Sequence, residues 1–98
     1  MKAIIIDDER LARTELKKLL QEFPEVEVVD EAANADEGIL KIESQQPDLI
    51  FLDIQMPGKT GFDMLEILHF VKNFIFPLIL FFCKPAEKYK NTLMRRSL

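Results

Sequence analysis

Paired thiols are missing from this chain. Cys83 is the only cysteine in 98 residues, so no internal disulfide and no paired-thiol metal site can form, and a reducing compartment is expected, with the cytoplasm as the default. Long hydrophobic runs are missing too. The most apolar stretch, Phe74 to Cys83, is ten residues long and contains Pro77, too short to cross a bilayer and suited to a buried strand. The chain opens directly on a strand-like segment, with neither the basic start nor the small-residue cleavage site of a signal peptide. No internal repeat or low-complexity linker appears. The one histidine, His69, sits beside Phe70 at the end of a helical pattern and reads as a packed or surface residue rather than a catalytic one.

What the chain does have is acid, distributed unevenly. The formal charge is −4, which argues against a general nucleic-acid binder. Residues 1–70 hold seven Lys/Arg against 16 Asp/Glu, whereas residues 71–98 hold six against one. The basic end, with Lys88, Lys90, Arg95 and Arg96, reads as a solvated terminus. Nucleic acid is therefore expected only through a DNA-binding domain not present in this chain. The length suits one domain, 1–98, and leaves no room for a second.

The alternation of elements is legible. Lys2 to Ile6 is a β-branched run ending in Asp7-Asp8, the pattern of a strand buried on both faces. From Glu9 to Glu22, Leu11, Leu16, Leu19 and Leu20 recur at helical spacing among charges, and Pro24 follows. Val26, Val28 and Val29 predict a second strand, with Asp30 and Glu31 beyond it. Asn34 is a candidate N-cap for a helix carrying Ile39, Leu40 and Ile42 that ends before Pro47. Asp48 to Asp53 is a third buried strand, and Phe62, Leu65, Ile67 and Leu68 start a third helix. Pro77 to Phe82 predicts a fourth strand, and Glu87 to Arg96 a short last helix. Strands alternating with helices imply an α/β fold: a doubly wound parallel sheet covered on both faces.

In such a sheet, ligand sites lie at the carboxyl ends of strands where the strand order reverses. With the order 2-1-3-4, Asp7 and Asp8 at the end of strand one and Asp53 at the end of strand three share one crevice. Taken singly, each has an ordinary reading: an Asp-Asp pair as a solvated strand end or helix cap, an acid before Met56-Pro57-Gly58 as a turn residue. Together they repel one another unless a cation lies among them. Oxygen ligands alone, with room for water and phosphate, suit Mg²⁺. Held there, a phosphoryl group would meet Asp53 as a nucleophile.

The stretches IIIDDERLARTELKKLL and PDLIFLDIQMPGKTGFDML resemble the receiver domain of bacterial two-component response regulators, a CheY-like module with a flavodoxin-like fold. The resemblance covers residues 1–68 and is nearest to LytTR-type regulators, whose receivers commonly carry a DDE-x-x-A-R stretch and D-I-x-M-P-x-x-x-G. It implies Asp53 as phospho-acceptor. It also implies Mg²⁺ held by Asp7, Asp8, Asp53 and the main chain of Gln55, with Met56, Pro57 and Gly61 forming the site loop. A sensor histidine kinase would be the phosphodonor and partner. The module would be no enzyme in the ordinary sense, but an acceptor that assists its own phosphotransfer and dephosphorylation. A metal-dependent phosphohydrolase fits less well, since neither an Asp-x-Asp pair after a strand nor a separate acid–base candidate is present.

Residues 69–98 depart from this pattern. A receiver carries a Ser or Thr about 30 positions after the acceptor and a Lys after strand five. Here Cys83 stands 30 residues after Asp53, followed by Lys84, and a thiol is a weak hydrogen-bond donor. In one alignment PLILFF is strand four and strand five with its helix is missing, which spacing favours. In another, Lys84-Pro85 is the family's Lys-Pro pair after a deletion. A third reading makes the tail the frame-shifted or degenerate end of a longer regulator. The alternative function is a phosphorylation-independent interaction module, dimerising through the exposed edge of strand four.

Overall fold

The computed structural model describes residues 1–72 and 79–82. The expectations placed on Pro77, Leu78, Cys83, Lys84 and the helix over Glu87 to Arg96 lie outside the described residues. Among the described residues four strands and three α-helices alternate: β1 (Lys2–Ile6), α1 (Arg10–Leu20), β2 (Glu27–Ala32), α2 (Ala35–Gln45), β3 (Leu49–Asp53), α3 (Gly61–Glu66) and β4 (Ile79–Phe82). All neighbours run parallel in the order β2-β1-β3-β4. The predicted doubly wound sheet is therefore the observed one, with Ile79–Phe82 supplying the fourth strand against β3.

The central strands are buried because helices cover both sides of them. Ile4, Ile6, Ile50 and Leu52 face Ile39 and Ile42 of α2 and Met64 of α3. Ala3, Ile5, Leu49 and Phe51 face Leu16 of α1. Successive side chains alternate between these layers, as the period of a strand requires. Each fully buried Ile or Leu contributes about 1.5–3 kcal/mol relative to exposure, so the two central strands set the position of everything attached to their ends.

Three features differ from the sequence-based expectation. First, β2 does not stop at Val29; it runs through Asp30, Glu31 and Ala32, pairing Ile5 with Glu31 and Ile6 with Ala32. Charges are tolerated there because cations from the flanking helices neutralise them: Arg13 and Lys17 on Glu31, Lys41 on Asp30. Second, Leu11, Leu40 and Phe62 are exposed, so the apolar stripes are narrower than the periodicity suggests and are carried by Leu16, Ile39, Ile42 and Met64. Third, α3 ends at Glu66 and continues as a wider π-type turn over Ile67–Val71, which still buries Leu68. His69 is on the surface, edge-to-face with Phe70 at 4.7 Å between ring centroids.

α2 and α3 start at residues whose side chains cap them. Asn34 caps α2 by accepting from the Glu37 amide at 2.8 Å. Thr60 and Asp63 form a reciprocal capping box at the start of α3. β3 begins at Leu49 rather than Asp48, whose carboxylate instead accepts from the Lys2 amide at 2.8 Å.

Candidate functional site

The site is built where β1 and β3 end side by side. Ile6 and Leu52 are register partners, so the next residue on each strand, Asp7 and Asp53, emerges at the same edge of the sheet. Both carboxylates are buried, at 1% and 0% exposure, while Asp8 is half-buried. One oxygen from each of Asp7, Asp8 and Asp53 lies within 4.8 Å of the others. The three residues singled out from sequence are thus brought together.

Each buried carboxylate is held by its own loop. Asp7 Oδ1 accepts from the Glu9 amide at 2.9 Å, and Asp53 Oδ1 accepts from the Gln55 amide at 3.0 Å. The alternatives of turn cap and presented acid are therefore not exclusive, since one oxygen of Asp53 serves the turn while the side chain as a whole faces the cluster. The Asp7 amide donates to the Ala32 carbonyl at 3.1 Å, which continues the β1–β2 ladder one residue past β1.

The loop after Asp53 divides its work. Gln55 and Pro57 are exposed, whereas Met56 is buried in the core beneath the site. Gly58 takes φ +80°, a left-handed conformation that glycine adopts without strain. Gly61 is required for a different reason, close approach: a Cβ there would stand 2.6 Å from the Asp53 carbonyl oxygen and 3.1 Å from Ile54 Cα. Its amide closes the loop by donating to the Ile54 carbonyl at 2.9 Å. Lys59 reaches across to Asp36 of α2 at 2.8 Å.

A second layer of charge lies beside the cluster; it includes Arg13, the arginine of the DDE-x-x-A-R stretch, to which sequence alone assigned no role. Arg13 on α1 donates from Nε to Glu31 Oε1 at 2.7 Å and from Nη1 to the Asp7 carbonyl at 2.6 Å. Lys17 bonds the other oxygen of Glu31. Hydrogen bonds from Lys17 and then Arg13 hold the Glu31 carboxyl below its ordinary value, against the opposing effect of burial. Burial pushes Asp30 up, but hydrogen bonds from Gln45, the Glu31 amide and Lys41 outweigh it and leave it lowered. Lys41 bonds Glu37 and Asp30 and is raised in turn, while the same contact lowers Glu37. The signal for Arg13 was its place three residues before Leu16 and beside Ala12, on the face of α1 that meets the sheet.

The donor set fits a hard divalent cation. Three carboxylates offer oxygen and no nitrogen or sulfur, which matches Mg²⁺ and not zinc or copper. Cys83 and Lys84 lie outside the described residues. No helix among the described residues is long and apolar enough to cross a membrane.

Comparison with known proteins agrees with this fold. Over 68 residues the chain is 50% identical to an uncharacterized response regulatory protein of Vibrio cholerae, covering 69% of this chain and 29% of that protein. It is 37% identical over 89 residues to the sensory transduction protein LytT of Bacillus cereus, covering 91% of this chain and 35% of that one. The chain thus spans about a third of the length of these relatives. The response regulator domain of Thermotoga maritima CheB shares the fold with a TM-score of 0.74 at 23% identity, over 99% of this chain and 72% of that one. The model of the response regulator receiver domain matches residues 3–94, and this chain belongs to that family, the receivers of two-component signal transduction.

Proposed function

We propose that this receiver accepts a phosphoryl group on Asp53 in a Mg²⁺-dependent reaction, with the phosphohistidine of a sensor kinase as donor. The observation that carries the proposal is the convergence of Asp7, Asp8 and Asp53 within 4.8 Å at adjacent strand ends. A carboxylate oxygen of Asp53 forms a bond to phosphorus as the P–N bond of phosphohistidine breaks, and the imidazole nitrogen keeps that electron pair. The product is an acyl phosphate.

Asp7, Asp8, Asp53 and the main-chain carbonyl of Gln55 are the residues that would hold the metal. When bound, Mg²⁺ neutralises the carboxylates and the charge on the transferring oxygens. The protein's own part is orientation. The Gln55 amide fixes the Asp53 carboxylate through Oδ1, and the Glu9 amide fixes Asp7 likewise. Burial of both acids excludes bulk water and strengthens every charge interaction inside.

The metal half is tested by melting the protein across a MgCl₂ titration. Binding only to the folded state raises the melting temperature with concentration; a melting temperature that does not respond to MgCl₂ sinks the site. Asp53→Asn should reduce the response.

A second reading, a phosphorylation-independent interaction module, is favoured by Cys83 standing where a receiver carries its hydroxyl. β4 is the last strand of the sheet among the described residues, with Leu80 47% exposed. Edge pairing of two copies there predicts a dimer mass in light scattering at high protein concentration, and a monomer mass throughout the range contradicts it.

A further inference from the structure

The backbone of Asp7 is gripped on both sides, by β2 itself and by an arginine bonded to it. Its N–H donates to the Ala32 carbonyl at 3.1 Å, and its carbonyl accepts from Arg13 Nη1 at 2.6 Å. Arg13 is itself fixed, because its Nε donates to Glu31 Oε1 at 2.7 Å and its side chain is only 12% exposed. Glu31 is locked into the β1–β2 ladder opposite Ile5. A guanidinium suits this task, since its planar fork donates in two directions at once from one rigid group.

We infer that Arg13 is a positioning residue for the acidic site, clamping the Asp7–Asp8 peptide to β2 so that two of the three carboxylates stay converged on Asp53. The inference rests on the metal reading of that cluster. It has an unusual sign. Arg13 is a cation bonded to the cluster's own backbone, so by charge alone its removal should tighten the binding of another cation there. As a clamp, its removal should weaken that binding, because carboxylates that are free to spread must be gathered again by the metal. Groups that orient metal ligands without touching the metal typically cost about 10- to 100-fold in affinity when removed. Lys17 supplies the contrast. It bonds the same Glu31 but makes no hydrogen bond to Asp7, so it shares the ion pair and not the clamp.

The test is Mg²⁺ affinity, measured by isothermal titration of MgCl₂ into the full chain and checked by the MgCl₂-dependent melting shift. The wild type is compared with Arg13→Met, Arg13→Lys and Lys17→Met. Arg13→Lys keeps the charge and loses the fork, and it carries the test if Arg13→Met does not fold. The expected result is about tenfold weaker binding for both Arg13 variants, with Lys17→Met within about twofold of wild type. Wild-type affinity in both Arg13 variants, or tighter binding in Arg13→Met with Arg13→Lys unchanged, overturns the clamp while leaving the metal site standing. A wild type that neither takes up heat nor shifts its melting temperature with MgCl₂ overturns the metal site, and the clamp with it.

Discussion

Gly61 lies backbone-to-backbone against Asp53: a Cβ at residue 61 would stand 2.6 Å from the Asp53 carbonyl oxygen. The first turn of α3 is thereby pressed onto the end of β3, beside the acid proposed to react. Gly61→Ala must move one or the other, and forced overpacking of this kind costs about 1–3 kcal/mol. Urea denaturation should show that loss. Its MgCl₂-dependent melting shift should fall as well, because Asp53 moves with its strand end.

Asp7, Asp8 and Asp53 bring like charges within 4.8 Å of one another, and like charges at that range repel. Asp53→Asn removes one charge but keeps an Oδ1 acceptor for the Gln55 amide. The variant should therefore melt higher than wild type in EDTA, by about 4 °C if the relief is ~1 kcal/mol. In saturating MgCl₂ the order should narrow or reverse. An equal or lower melting point in EDTA would mean that the cluster carries little repulsion.

The acids at the end of β2 and in the first turn of α2 make stability depend on pH with a definite sign. Glu31, bonded by Lys17 and Arg13, and Glu37, bonded by Lys41, are held below the ordinary value of 4.5; Asp30 lies below 3.8 despite its burial. In the window below those ordinary values the unfolded chain binds more protons than the folded one, so stability rises with pH there. Their contribution is complete above the ordinary values and is lost as pH falls through the lowered ones. Lys41, raised above 10.5, contributes fully below that value and is lost as pH rises past its raised one. Denaturation midpoints from pH 2 to 7 should follow an acid limb that becomes shallower in Lys41→Met.

Much of this arrangement was legible in the sequence, for physical reasons that differ by element. KAIII and LIFLD announce strands buried on both faces because nothing polar interrupts them, and the acids that end them are placed by the sheet's parallel order. Asn34 was readable as a cap because its action is local, reaching only to Glu37. β2 was not readable beyond Val29, since what permits Asp30 and Glu31 in a strand is cations on two different helices. Local periodicity does not report such partners. Arg13, though part of the DDE-x-x-A-R stretch, carried no legible role for the same reason: its two acceptors, Asp7 just past β1 and Glu31 in β2, are far apart in sequence. Leu11 and Leu40 were assigned to apolar faces by spacing, but the stripe that meets the sheet is narrower than the run of leucines and leaves both exposed.

Phosphoryl transfer to Asp53 is tested by the intact mass of the purified chain after incubation with acetyl phosphate and MgCl₂. The expected spectrum shows one added phosphoryl group, absent in EDTA and absent in Asp53→Asn. No adduct on the folded wild type, or an adduct that persists in Asp53→Asn, would contradict Asp53 as the acceptor.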